Sequence, residues 1–240
     1  MSPVLSLFST IIVGVCILYT PPVFASSGYG DEGYPDDWED YSGKCKYANK
    51  TPINIVPTIN AELPELRVLY QGSINSIKNH GHTMTLLVDT KNAVISNNEF
   101  YQLNDIHIHV PSENHVKGQE FPMEIHFVHI SSNGHKLVVS VFYQYGGVIN
   151  ETTQGIVDNM PELGERYTLK RPLELGKLLP EKRHYYRFNG ASAEDCKEGI
   201  MWFVFKDPVL APEEVIKAVH DKVGSNDRNL SPSNNRIILQ

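Results

Sequence analysis

No run of lysine or arginine occurs anywhere in the chain, and the formal net charge is -7. An electrostatic footprint for nucleic acid is therefore missing, and binding to a polyanion is disfavoured. Cysteine is scarce: Cys16, Cys45 and Cys196 are the only three in 240 residues. None lies near another along the sequence, so the paired-cysteine spacing of a structural zinc site is missing. Charge is absent from "MSPVLSLFSTIIVGVCILYT", yet its apolar run, Ile11 to Tyr19, is too short to span a bilayer. Internal repeats and low-complexity tracts are also absent, which excludes solenoids. Helical periodicity is thin. What remains is a chain with 41% hydrophobic residues, enough for one sizeable core.

The first 25 residues read as a secretory signal. "VFA" at 23–25 supplies small residues for cleavage after Ala25, although the usual basic start is missing. The expected division is a signal over 1–25 and one domain over 26–240, with a secreted or periplasmic product and no stable membrane span after cleavage; an uncleaved anchor is the alternative. In an oxidising compartment Cys45 and Cys196 make an even pair, and a Cys45–Cys196 disulfide is expected. Closing so long a loop would stabilise by roughly 4–5 kcal/mol on the chain-entropy account. Two buried free thiols are the alternative.

Strand-like segments dominate the rest: 67–70, 83–88, 101–110, 123–130, 136–145 and 201–206 are rich in Val, Ile, Phe and Tyr, with turn residues between them. "APEEVIKAVHDKV" (211–223) is the best helix, with an early Pro and acids in its first turn. "ETTQGIVDNM" is a weaker one. Residues 26–41 read as an irregular arm and 224–240 as polar coil ending in a short apolar segment. The reading is one β-rich domain with few helices.

Chemistry concentrates in "HIHVPSENHVKGQEFPMEIHFVH", residues 107–129. Side chains alternate along a strand, so His107 and His109 share a face while Ile106, Ile108 and Val110 take the other. "MEIHFVH" puts Glu124 and His126 on one face, and "PSENHVKGQEFP" can turn the chain back. His107, His109 and His126 can then converge as three imidazole donors, which with an open fourth position suits catalytic zinc. Ligating histidines usually donate their other N–H to a carboxylate or carbonyl, and Asp105 and Glu124 stand on the right faces. Without a metal, a His-x-His on a strand is an ordinary surface or core pair.

Six segments occur in an order that resembles the alpha-class carbonic anhydrases: "GYGDEGYPDDW", "KTPINI", "NHGHT", "HIHVPSE", "MEIHFVH" and "MWFVFKDPV". The resemblance implies a mainly β single domain on a large, mostly antiparallel twisted sheet with a few short peripheral helices. It implies reversible hydration of CO2 to bicarbonate by a zinc-bound hydroxide, with Zn2+ on His107, His109 and His126. Glu124 would support His126, Glu113 would be the carboxylate of a hydroxyl relay, and His82 the proton shuttle, with His80 able to substitute. Val128, Val138 and Trp202 would line the apolar wall and Tyr29 the polar side. Cys45 and Cys196 match the disulfide of secreted members.

The chain departs from the family at "GASAEDC" (190–196), which is one residue short and has lost the threonine that orients the nucleophile. Anchoring on Gly190 puts Ser192 there; anchoring on Cys196 puts Ala193 there. Asn114, Phe188, Lys50 and Asp105 are milder replacements. Turnover is expected to be altered. The alternative is a carbonic-anhydrase-related protein that binds zinc with little catalysis, in a binding, storage or matrix role. A cupin is a more distant one: Glu113 would then be a metal ligand, but "FPMEIHFVH" lacks the second motif's Gly and Asn.

Overall fold

The computed structural model describes residues 49–89, 91–191 and 198–240. The expected signal and the residues Tyr29, Cys45, Ser192 and Cys196 lie outside the described residues. Thirteen strands are described, eleven of them in one sheet. The strands that matter most are β3 (Ser73–Asn79), β4 (Met84–Val88), β6 (Glu99–His109), β8 (Met123–Ser131), β9 (Lys136–Tyr145), β10 (Arg166–Glu174), β11 (Tyr185–Ala191) and β12 (Glu198–Phe205). The main path runs β10-β3-β4-β6-β8-β9-β12-β11. β5 (Asn92–Ser96) bridges β6 to β2 (Arg67–Tyr70), and β13 (Val209–Ala211) joins β9. Pairing is antiparallel except where β12 and β13 lie parallel to β9. A separate parallel pair links β1 (Asn54–Ile55) to β7 (His115–Val116).

A bulge in β6 decides which face carries the histidines. Tyr101 and Leu103 are in the main core, and so are Ile106, Ile108 and Val110, whose numbering has the opposite parity. The register against β8 shifts between Leu103 and Asp105. An inserted residue flips everything beyond it to the other face. Asp105, His107 and His109 are thereby turned away from the main core. β8 needs no such device: Met123, Ile125 and Phe127 enter that core, and Glu124, His126 and Val128 alternate with them.

The two faces are covered differently. The main-core face receives α1 (Glu151–Val157), α2 (Glu213–Val223) and a 3-10 turn (Leu175–Leu178), through Ile156, Val215, Ile216, Val219, Val223, Leu175 and Leu178. α1 starts on Asn150, whose side chain accepts from the Thr153 N–H at 2.9 Å. α2 has Glu213 and Glu214 in its first turn and Lys222 in its last, the favourable arrangement for its dipole. It stops at Gly224, whose φ of 71° suits glycine. Among the described residues the opposite face has no helix. There Ile53, Ile55, Phe121, Val138, Phe142, Phe188, Trp202, Val204 and Ile238 form a smaller apolar cluster beside the histidines. Among the described residues no helix is long and apolar enough to cross a membrane.

Candidate metal centre

Cross-strand register lays the site out as a grid. Asp105, Val128, Val138 and Trp202 form one row across β6, β8, β9 and β12. His107, His126, Ser140 and Val204 form the next. His109, Glu124 and Phe142 form the third. Direct cross-strand neighbours are only about 4.5–5.5 Å apart at Cβ, so the sheet itself brings the imidazoles together. His107, His109 and His126 each offer a nitrogen within 4.8 Å of the others. Their ring centroids are 4.7–5.3 Å apart.

Each ring has one nitrogen committed to the protein and one turned inward. His107 Nδ1 lies 2.6 Å from Asp105 Oδ2. His109 Nδ1 lies 3.2 Å from the Asn226 carbonyl, and the contact requires that nitrogen to carry the proton. His126 Nε2 is 2.8 Å from Glu124 Oε1, a close but angled contact. That leaves Nε2 of His107, Nε2 of His109 and Nδ1 of His126 for a shared cation. His109 Nε2 is buried without a hydrogen-bond partner, a costly arrangement that a metal ion resolves. Burial pushes the His109 pKa down to about 3, with the His126 and His107 charges adding to the fall and Glu113 opposing it. The ring is thus neutral at ordinary pH, as a ligand must be. Three imidazoles, with no cysteine beside them among the described residues, fit zinc in its open, catalytic form rather than its closed, structural one.

Two buried carboxylates flank the trio. Glu124 is fully buried. It accepts from the backbone N–H and the side-chain amide of Asn114, each at 2.8 Å, and from the Ser140 hydroxyl. Burial alone would raise its pKa; His126 and these donors overcome that and hold it low. Glu113 is 1% exposed and meets Arg228 side on, Nε to Oε1 at 2.6 Å and Nη2 to Oε2 at 2.8 Å. Burial would raise this pKa too, but the neighbouring charges of His109 and Arg228 drive it far below the ordinary carboxylate value. Glu113 Oε2 is 3.5 Å from His109 Nε2 and 3.8 Å from His126 Nδ1.

Asn226 ties the site together from the C-terminal segment. Its Nδ2 donates to the carbonyls of His82 (2.6 Å) and Ile108 (2.9 Å), and its Oδ1 accepts from the Val110 N–H at 2.7 Å. His82 sits half-buried in the β3–β4 turn, where the His80 N–H closes on the Thr83 carbonyl at 3.0 Å and Gly81 takes a φ of 90°. The His80 and His82 rings are 6.2 Å apart, with His80 exposed. Burial lowers the His82 pKa, opposed by a hydrogen bond with the His80 backbone and aided by the charge of His107. On the other side, His126 meets the Trp202 edge at a centroid distance of 5.1 Å, and Phe188 stacks on Trp202 at 5.9 Å. Gly190 is required here, since a Cβ would stand 2.8 Å from the indole nitrogen.

The chain matches the family model of eukaryotic-type carbonic anhydrases over residues 33–239. It belongs to the alpha carbonic anhydrase family. It is 34% identical over 220 residues to a carbonic anhydrase of Neisseria gonorrhoeae, covering 89% of this chain and 87% of the relative. A carbonic anhydrase of Pectobacterium atrosepticum is 32% identical over 218 residues, covering 88% and 89%. The solved alpha-carbonic anhydrase of Photobacterium profundum superposes with a TM-score of 0.82 at 35% identity, covering 88% of this chain and 99% of that one. The cupin alternative lapses with the family match.

The structure brings together the three histidines, both carboxylates, Asp105 and the apolar row that the sequence reading named. It missed Ser140, Asn226 and Arg228 of this carbonic anhydrase, and it named Asn114 only as a replacement. Ser140 and Asn114 hold Glu124; Asn226 and Arg228 come from a stretch read as polar coil.

Proposed function

We infer that this carbonic anhydrase interconverts CO2 and bicarbonate with zinc on His107, His109 and His126. The observation that carries the reading is the convergence of three imidazole nitrogens, each ring backed by a carboxylate or carbonyl, beside an apolar row. When bound, zinc supplies Lewis acidity that brings the pKa of coordinated water to about 7, the effect for which carbonic anhydrases are the standard example. The chain's own residues do the rest. Asp105, the Asn226 carbonyl and Glu124 keep a proton on Nδ1 of His107, Nδ1 of His109 and Nε2 of His126, which aims the opposite nitrogens inward. Val128, Val138 and Trp202 offer a water-poor surface to a nonpolar substrate, with Tyr29 on the polar side. Glu113, held ionised, can only accept a hydrogen bond. Ser192 is the proposed hydroxyl between it and the reacting oxygen, which orients a lone pair at carbon. His82 carries the released proton to solvent, His80 standing outside it.

The disulfide and export belong to the same proposal. Asn49 donates to Glu198 through its backbone N–H at 2.6 Å, and its carbonyl accepts from the Ala191 N–H at 2.8 Å. The segments that lead to Cys45 and Cys196 therefore leave the described residues side by side, which supports pairing and, with the apolar leader, a destination outside the cytoplasm. The test of function is CO2 hydration by zinc-loaded protein near neutral pH. Hydration that disappears on chelation and returns with zinc is expected. Full zinc loading without hydration would select the zinc-binding, non-catalytic reading that the altered "GASAEDC" segment suggests.

A further inference from the structure

The two buried carboxylates beside the histidines are held in unlike ways. Glu124 is faced by four donors, His126, Ser140 and the two N–H groups of Asn114. Glu113 is gripped by the guanidinium of Arg228, one nitrogen to each oxygen, at 2.6 and 2.8 Å. Glu113 is also the nearer threat to an open site. Its Oε2 already lies 3.5 and 3.8 Å from the inward-facing nitrogens of His109 and His126. Carboxylate oxygen is an ordinary zinc ligand, and three imidazoles plus one carboxylate would close a tetrahedral shell. A buried anion next to a divalent cation has every electrostatic reason to move onto it. What opposes that movement is a planar fork matched to both carboxylate oxygens. The fork is itself anchored, because Asn226, two residues earlier, is pinned to Val110, Ile108 and His82.

We propose that Arg228 is a positioning residue that holds Glu113 off the cation and so keeps the fourth coordination position open. The proposal rests on the carbonic anhydrase reading of the three-histidine site and goes beyond it, since it assigns the open position to a residue outside the donor set. It also orders the variants. Removing the fork should let Glu113 swing inward, so that an added anion must first displace it. The apparent affinity of that anion then falls in proportion to the fraction of molecules whose site remains open.

The experiment uses cobalt(II)-loaded full-length protein titrated with thiocyanate, read from the visible spectrum of the ion. Wild type should take up cobalt stoichiometrically and respond to thiocyanate. Arg228→Gln should keep its cobalt, show an altered spectrum before any anion is added, and bind thiocyanate at least about tenfold more weakly. Arg228→Lys, which keeps the charge but grips less of the carboxylate, should fall between. In the double variant Arg228→Gln/Glu113→Gln the competing carboxylate is gone, and thiocyanate affinity should return towards that of wild type. An Arg228→Gln protein that binds thiocyanate like wild type would overturn the proposal. So would a double variant no better than the single, because simple damage to the site predicts that result. A wild-type chain that retains no cobalt would overturn the site reading itself, a result separate from these.

Discussion

His126 and His129 lie three residues apart on β8 and are equally hidden from solvent, at 2% and 0% exposure. They face opposite sides of the sheet. His129 spends both nitrogens on the protein: Nε2 meets the Tyr70 hydroxyl at 2.8 Å, and Nδ1 lies 3.3 Å from the Leu137 carbonyl. His126 has only Glu124 Oε1 near Nε2, at 2.8 Å and off hydrogen-bond geometry, and its other nitrogen is left for the cluster with two other imidazoles. Burial alone therefore says nothing about function; an inward nitrogen left without a protein partner does. Replacement should separate the two most widely. His126→Asn should abolish hydration and weaken zinc retention by more than the roughly 10–100-fold typical of partner residues. His129→Phe should keep both zinc and hydration. Metal analysis and a hydration assay on the two purified variants decide it, and loss of zinc from the His129 variant would break the contrast.

His129 also makes the fold sensitive to acid. Burial pushes the His129 pKa down to about 4, hydrogen bonds with the Leu137 and Phe127 backbones opposing the fall. The unfolded chain takes up that proton at the ordinary value near 6.5. Between these two values the unfolded state binds more protons, so stability rises with pH. The contribution is fully present above about 6.5 and is lost as pH falls towards 4, a swing of roughly 3 kcal/mol. Thermal melts of zinc-loaded protein across that window should show the fall, and His129→Phe should flatten it. An unchanged slope in the variant would place the acid sensitivity elsewhere.

What could be read from the sequence followed apolar patterning. β2 and β9 coincide with the expected segments, and β4, β6, β8 and β12 differ only at their ends, because Val, Ile and Phe mark them. β3, "SINSIKN", hides its alternation behind Asn and Ser. β10, "RYTLKRPLE", is charged and contains Pro172, tolerable because it falls between Thr168 and Leu173, where the pairing with β3 is interrupted. Within the site, alternation sufficed for His107, His109, His126 and Glu124. The β6 bulge was present in "YQLNDIHIHV" only as a change of parity between Leu103 and Ile106. Asn226 and Arg228 act more than a hundred residues from their partners, Ile108, Val110 and Glu113, and no local pattern announces such contacts.

The remaining predictions sharpen the difference between spent and inward nitrogens by weakening only the backing of the ligands. Glu124→Gln keeps the shape but removes the charge that faces His126 Nε2, and its amide brings donors towards Ser140 and Asn114. Zinc affinity measured by chelator competition should drop about 10–100-fold. Asp105 backs His107 at the same close range, 2.6 Å, but solvent reaches both, with side-chain exposures of 33% and 24%. Water can replace a lost partner there, and it screens the charge that remains. Asp105→Asn should therefore weaken zinc by less than about tenfold, below the usual range for such partners. A loss as large as that from Glu124→Gln would mean that the carboxylate's charge on His107, rather than its enclosure, sets the strength of the support.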